Sequence, residues 1–255
     1  MNNLRIINGY LLNKNSSEEN EFENLYISLR EKEGRIFFTE KEIRKLPEVS
    51  KTHPHFKEWK IRSNSCDELL KYVKQKGHIC NILEIGCGNG WLSARLSQAT
   101  RGEVTGIDIN RIELKQARKV FSSKRNLNFI AGDIRSGILR DKKFDLIVFA
   151  ASIQYFKSLK EIINTSLQYL TLQGEIHILD SPFYLPEKIF PARQRTKKYF
   201  SGIGFPAMSK YYFHHSLREL QLFNYKLLHN PYSWLNKISF RKNPFHWIII
   251  KNHCR

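Results

Sequence analysis

The stretch Ile82-Leu-Glu-Ile-Gly-Cys-Gly-Asn-Gly90 decides the fold. A short apolar run holding one acid gives way to glycines at 86, 88 and 90, and the helix-like Trp91-Leu-Ser-Ala-Arg-Leu-Ser97 follows. A strand that runs into a glycine loop and then a helix brings bare backbone close to a ligand, because no side chain stands in between. A nucleotide-like ligand is therefore expected at this loop.

Outward from the loop, apolar runs alternate with helix-like segments, the pattern of a mainly parallel sheet covered on both faces. The predicted strands are residues 81–85, 103–108, 127–131, 144–150, 175–180 and 245–251, with helices over 91–98, 111–121 and 159–170. Gly174 is expected at the turn from the last of these helices into its strand. Upstream, Phe56, Trp59, Leu69, Leu70 and Val73 recur at helical spacing, and Gly77 stands where a helix ends. Residues 1–50 are polar, with helical hints at 18–32 and 40–45 broken by Gly34. We read residues 1–76 as an N-terminal extension with lid helices and 77–255 as the α/β domain. Within the latter, residues 181–244, rich in proline and aromatics, form a substrate-side insertion.

The neighbours of the glycines choose the ligand. In a dinucleotide fingerprint the third position after Gly86 and Gly88 is small, whereas here it is Trp91, and no Gly-Lys-Ser or Gly-Lys-Thr of a phosphate loop follows. Glu84, two residues before the first glycine, would repel a pyrophosphate but attract a sulfonium compound with a free amino group. That charge logic points to S-adenosylmethionine. Asp108, closing Val104-Thr-Gly-Ile-Asp108, is spaced to accept the ribose hydroxyls, and Asp133 in Ala131-Gly-Asp-Ile134 suits an adenine amino group.

Together with Phe144-Asp-Leu-Ile-Val-Phe149, these segments resemble the successive motifs of the class I S-adenosylmethionine-dependent methyltransferases, over about residues 81–180 and a final strand near Phe245. The resemblance implies a Rossmann-like, doubly wound α/β fold: a mostly parallel seven-stranded sheet whose last strand, 245–251, is antiparallel. It places the methionine part of the cofactor along Gly86, Gly88 and Gly90, the ribose on Asp108 and the adenine on Asp133. Cys87, Ile109, Ile134 and Ala150 lie on the same loops and are expected to line the cofactor site with Glu84.

Ligands of such sheets lie outside the carboxyl ends of the strands. That selects Tyr155, in Ala151-Ser-Ile-Gln-Tyr-Phe156, and Asp180, in Asp180-Ser-Pro-Phe-Tyr184, as candidates for orienting or deprotonating an acceptor. His214, beside His215 in the insertion, is the third catalytic candidate, its type titrating near neutrality. No Asp-Pro-Pro-Tyr or Asn-Pro-Pro-Tyr follows strand 144–150, which argues against exocyclic base nitrogens or glutamine amides as acceptors. Trp59 and Arg62 suggest a lid helix that packs on the core or clamps an anionic acceptor. His53 and His55 lack carboxylate or cysteine company, so no metal is expected.

Composition bounds the rest. Hydrophobic residues at 41% and charged residues at 26% suit a globular chain. No apolar run reaches the roughly 20 residues of a membrane span, and residues 1–19 lack the unbroken apolar core of a secretion signal. A cytoplasmic protein is expected. Its four cysteines show no metal-binding or disulfide spacing. The net charge of +18 admits a nucleic-acid partner. An aromatic-rich insertion favours a small-molecule acceptor instead, with an RNA methyltransferase or a catalytically silent binding subunit as the alternatives.

Overall fold

A computed structural model describes residues 5–7, 10–12, 17–37, 39–77, 79–234, 236 and 242–252. Strands β1 (Arg5–Ile7) and β2 (Tyr10–Leu12) precede helices α1 (Ser17–Lys32), α2 (Glu40–Lys45) and α3 (Phe56–Lys76). Then β3 (Ile82–Ile85), α4 (Trp91–Leu96), β4 (Val104–Asp108), α5 (Arg111–Phe121), β5 (Leu127–Ala131), β6 (Phe144–Ala150) and α6 (Leu159–Gln168) alternate as the sequence predicts. After β7 (Leu170–Leu179) come β8 (Phe183–Tyr184), α7 (Pro186–Gly202), β9 (His215–Ser216), β10 (Tyr225–His229) and β11 (Trp247–Lys251).

The main sheet runs β1-β2-β5-β4-β3-β6-β7-β11-β10. Its seven strands from β5 to β10 are parallel except β11, which is antiparallel to both β7 and β10. The resemblance implied that direction for the last strand. Two features were not foreseen: the β1–β2 hairpin, joined to the edge through Leu12 beside Ala131, and β10, which lies inside the stretch read as insertion. β10 is an edge strand in which half-buried and open positions alternate, so it lacks the apolar run that marks the central strands.

Side-chain alternation along the strands feeds two cores. Ile82, Val104, Leu146 and Val148 pack with α3, α4 and α5 on one face. Leu83, Ile107, Ile147 and Ile176 pack with α6 on the other. β7 begins at Leu170, five residues earlier than predicted, so Gly174 lies within the strand and not at its entrance. The β6–β7 register shifts near there, and a Cβ on Gly174 would stand 3.0 Å from the Phe144 carbonyl oxygen.

A third, smaller core joins Leu29 of α1 to Phe200 of α7 and Met208 of the short turn after it. The N-terminal extension and the segment after β7 thus pack together as a cap beside the carboxyl ends of the strands. No helix among the described residues is long and apolar enough to cross a membrane.

Candidate functional site

The chain leaves β3 for β4 on one side and later enters β6 on the other, so the carboxyl ends of β3 and β6 flank the crevice where open α/β sheets hold ligands. The two loops approach closely: a Cβ added to Gly86 would stand 2.5 Å from the Ser152 Cβ. The Ser152 hydroxyl donates to the Ile85 carbonyl oxygen at 2.6 Å. Two lobes of about 810 and 1650 Å³, including space open to solvent, adjoin here and share Tyr26, Gly86, Asp108 and Ala151.

The sheet side of the first lobe carries three carboxyls, Glu84 buried and Asp108 and Glu113 half-buried. Strand alternation turns Glu84 toward α4, where the Ser93 hydroxyl donates to its Oε2 at 2.5 Å. Asp108 accepts from the backbone amides of Gly88 at 2.7 Å and Asn110 at 2.8 Å. Glu113, one turn into α5, accepts from the Asn110 side chain at 2.8 Å and lies beneath Gly88. Burial pushes Glu84 up to about 8 and Glu113 up to about 7. Burial also raises Asp108 to about 6, against the pull of its amide donors. Among the described residues none of the three has an ion-pair partner within 4 Å. They form an acidic cluster without a fixed counter-ion, whose charged forms a cationic ligand would stabilise.

The opposite wall is a ladder from α1 and α3. Arg30 pairs with Glu33 at 3.1 Å, Arg35 reaches Glu33 at 3.0 Å and Glu58 at 2.6 Å, and Arg62 pairs with Glu58 at 2.9 Å. The Arg62 guanidinium stands 5.2 Å over the Trp59 ring. Trp59 in turn meets Trp91 edge to face at 5.6 Å. The large residue that ruled out a dinucleotide loop is therefore a seat for α3. Asp180, also in this lobe, accepts from Ser65 at 2.6 Å and is raised by burial.

The second lobe is bounded by Ile109, Asp133 and Ile134 on one side and by Tyr26, Tyr155, Phe156 and Tyr211 on another. The Tyr155 hydroxyl accepts from Arg30 at 2.8 Å. Asp133 caps its own turn and is held by the Arg135 guanidinium at 2.6 Å. Glu84, Gly86, Cys87, Gly88, Asp108 and Ala150 line the first lobe. Gly90 lies behind the loop as the residue before α4, against Phe129 and Ala117.

His214 lines neither lobe. Its Nε2 meets the Thr196 hydroxyl at 2.9 Å, it is flanked by Tyr184 and Tyr212, and burial lowers it to about 4, so it stays neutral at ordinary pH. The structure brings Tyr155 and Asp180 to the crevice and leaves His214 in the cap. Sequence reasoning missed Glu113 and Arg30. The spacing Asn110-x-x-Glu113, a helix-start pattern, was the available signal for the first. Arg30 carried none. Among the described residues no group of three or more His, Cys, Asp or Glu is placed to hold a metal ion.

Residues 82–174 match the family described as methyltransferase domain. That stretch, about a third of the chain, is similar to a methyltransferase domain. A curated relative, malonyl-(acyl-carrier protein) O-methyltransferase 2 of Ilyobacter polytropus, is 32% identical over 117 residues, which cover 46% of this chain and 45% of that one. The chain thus spans less than half of that relative's length. Its fold is similar to that of the plantazolicin methyltransferase BpumL in complex with SAH, with TM-score 0.56 and 19% identity over 92% of this chain and 98% of that one. It is also similar to geranyl diphosphate C-methyltransferase from Streptomyces coelicolor A3(2), with TM-score 0.58 and 10% identity over 94% of this chain and all of the other.

Proposed function

We propose that the chain binds S-adenosylmethionine across both lobes and directs its methyl group to a small-molecule acceptor in the second. The observation that carries this reading is the trio Glu84, Asp108 and Glu113: the first buried and the other two half-buried, raised in proton affinity and without ion-pair partners beside a glycine loop. Such a pocket repels a phosphate and favours a ligand that brings positive charge. The cofactor supplies a methyl group already activated on a sulfonium, so the protein needs chiefly to bind, orient and exclude water.

In this reading Glu84 takes the ammonium group and Asp108 the ribose hydroxyls. Asp133, with Ile109 and Ile134, borders the adenine, while Arg62 takes the carboxylate. Tyr155 orients the acceptor within the second lobe and Asp180 faces its reacting end from the first, and His214 is left out because it lies apart from both lobes. The aromatic wall of the second lobe suits a partly apolar acceptor. The segment after β7 walls the crevice without filling it, which favours an active enzyme over a silent subunit.

Titration calorimetry with S-adenosylmethionine tests the reading, and absence of binding sinks it. Arg62→Met is expected to weaken the cofactor about tenfold, the worth of one charged hydrogen bond, while leaving adenosine binding unchanged. Equal losses for both ligands would remove Arg62 from the carboxylate role.

Affinity is also expected to rise with pH. Burial raises Glu84 and Glu113, so the ligand-free fold favours their protonated forms and loses stability as pH climbs from about 4.5 toward about 8. A cationic ligand must displace those protons. Its affinity is therefore expected to grow about tenfold between pH 6 and 8, with proton release visible as a buffer-dependent heat. A flat profile with no proton release would separate these carboxyls from the ligand's charge.

A further inference from the structure

Helix α7 presents Lys188, Arg193, Arg195, Lys197 and Lys198 to solvent against a single acid, Glu187. Some cations of other helices find partners, as in Lys71 with Glu68 and Lys76 with Glu175. Among the described residues those of α7 make no ion pair. The same helix holds its inner face to the protein through Ala192 and Phe200. Phe190, with Arg193 and Lys197 three and seven residues on, turns outward and is 70% exposed, and Leu185 at the helix start is 50% exposed. An uncovered phenyl ring among unpaired cations costs free energy in water unless something apolar and anionic receives it.

From this face we infer that α7 docks the protein on an anionic membrane surface, with Phe190 and Leu185 entering the headgroup layer and the cations meeting lipid phosphates. Two observations favour a bilayer over an acidic protein or a nucleic acid. The cations of this face are exposed and unpaired, and its apolar groups are single exposed side chains, which a fluid interface accepts without matched positions. A phosphate backbone would satisfy the cations but leave Phe190 and Leu185 in water. α7 shares the cap core with α1 and with the turn that supplies Lys210 to the rim of the second lobe, so the docking helix belongs to the cap. The inference goes beyond methyl transfer and does not need it.

The experiment is flotation of the purified full chain, without cofactor, on vesicles of phosphatidylglycerol and phosphatidylcholine in equal parts and on phosphatidylcholine alone. Binding is expected on the anionic vesicles only, weakening between about 50 and 500 mM salt. Phe190→Ala should lower partitioning about tenfold. Arg193→Glu with Lys197→Glu should lower it about twentyfold or more. A control with the same charge change on α3, Lys57→Glu with Lys74→Glu, should lower it no more than about twofold. The inference is overturned by no binding to anionic vesicles, by equal losses in the control, or by an unaffected Phe190→Ala. It is equally overturned if α7-dependent binding appears on single-stranded DNA or polyglutamate and not on vesicles.

Discussion

Asp108→Ala is expected to weaken S-adenosylmethionine binding about hundredfold. In the proposed complex its carboxylate accepts two ribose hydroxyls, and charge-assisted hydrogen bonds contribute about 1.5–3 kcal/mol each where water is excluded. The same carboxylate also holds the Gly88 amide at 2.7 Å and the Asn110 amide at 2.8 Å, so the glycine loop loses a brace when it goes. Asp108→Asn keeps an oxygen for one of those amides, turns a donor toward the other and loses the charge, and its expected loss is nearer tenfold. Calorimetry distinguishes the two. If the alanine variant binds as tightly as the parent, the ribose is held elsewhere and the cofactor assignment fails with it.

The second large effect concerns stability. Gly90 sits at φ +75°, and a Cβ there would stand 2.5 Å from the Phe129 ring and 2.9 Å from the Ala117 Cβ. Alanine in that left-handed conformation costs about 1–2 kcal/mol, and forcing a methyl group into filled space adds about 1–3 kcal/mol. Gly90→Ala is expected to lower the Tm by about 8 °C or more for a chain of this size. Gly137 makes the comparison clean, because its φ is +74° and nothing lies within 4 Å of its added Cβ. Gly137→Ala should therefore show the conformational cost alone, a Tm loss of about 2–4 °C. Equal losses at the two positions would show that the contact with Phe129 is relieved at little cost.

What was legible in the sequence follows the physics of each segment. The central strands are buried on both faces and read as apolar runs, and the acids at their ends stand out because little else there is charged. Glu84, Asp108 and Asp133 were visible for that reason. Asp133 turned out to hold Arg135, a neighbour two residues away whose competition spacing alone does not weigh. Glu113 was read as one more polar residue of an amphipathic helix, although it stands a single turn from Asn110 and faces the lobe. The ladder Arg30–Glu33–Arg35–Glu58–Arg62 joins α1 to α3 through contacts that no local pattern announces. β10 was hidden for the opposite reason to the core strands, since an edge strand needs only half its residues apolar.

The small core of Leu29, Phe200 and Met208 has a consequence for how the chain matures. Its contributors lie on either side of strands β3 to β7 in sequence, so they meet only after most of the polypeptide has been made and the intervening sheet has brought them near. Contacts of such long separation form late. The cap should be the last part to gain hydrogen-exchange protection on refolding and the first to lose it in mild denaturant, leaving the sheet with its acidic crevice already shaped but uncovered.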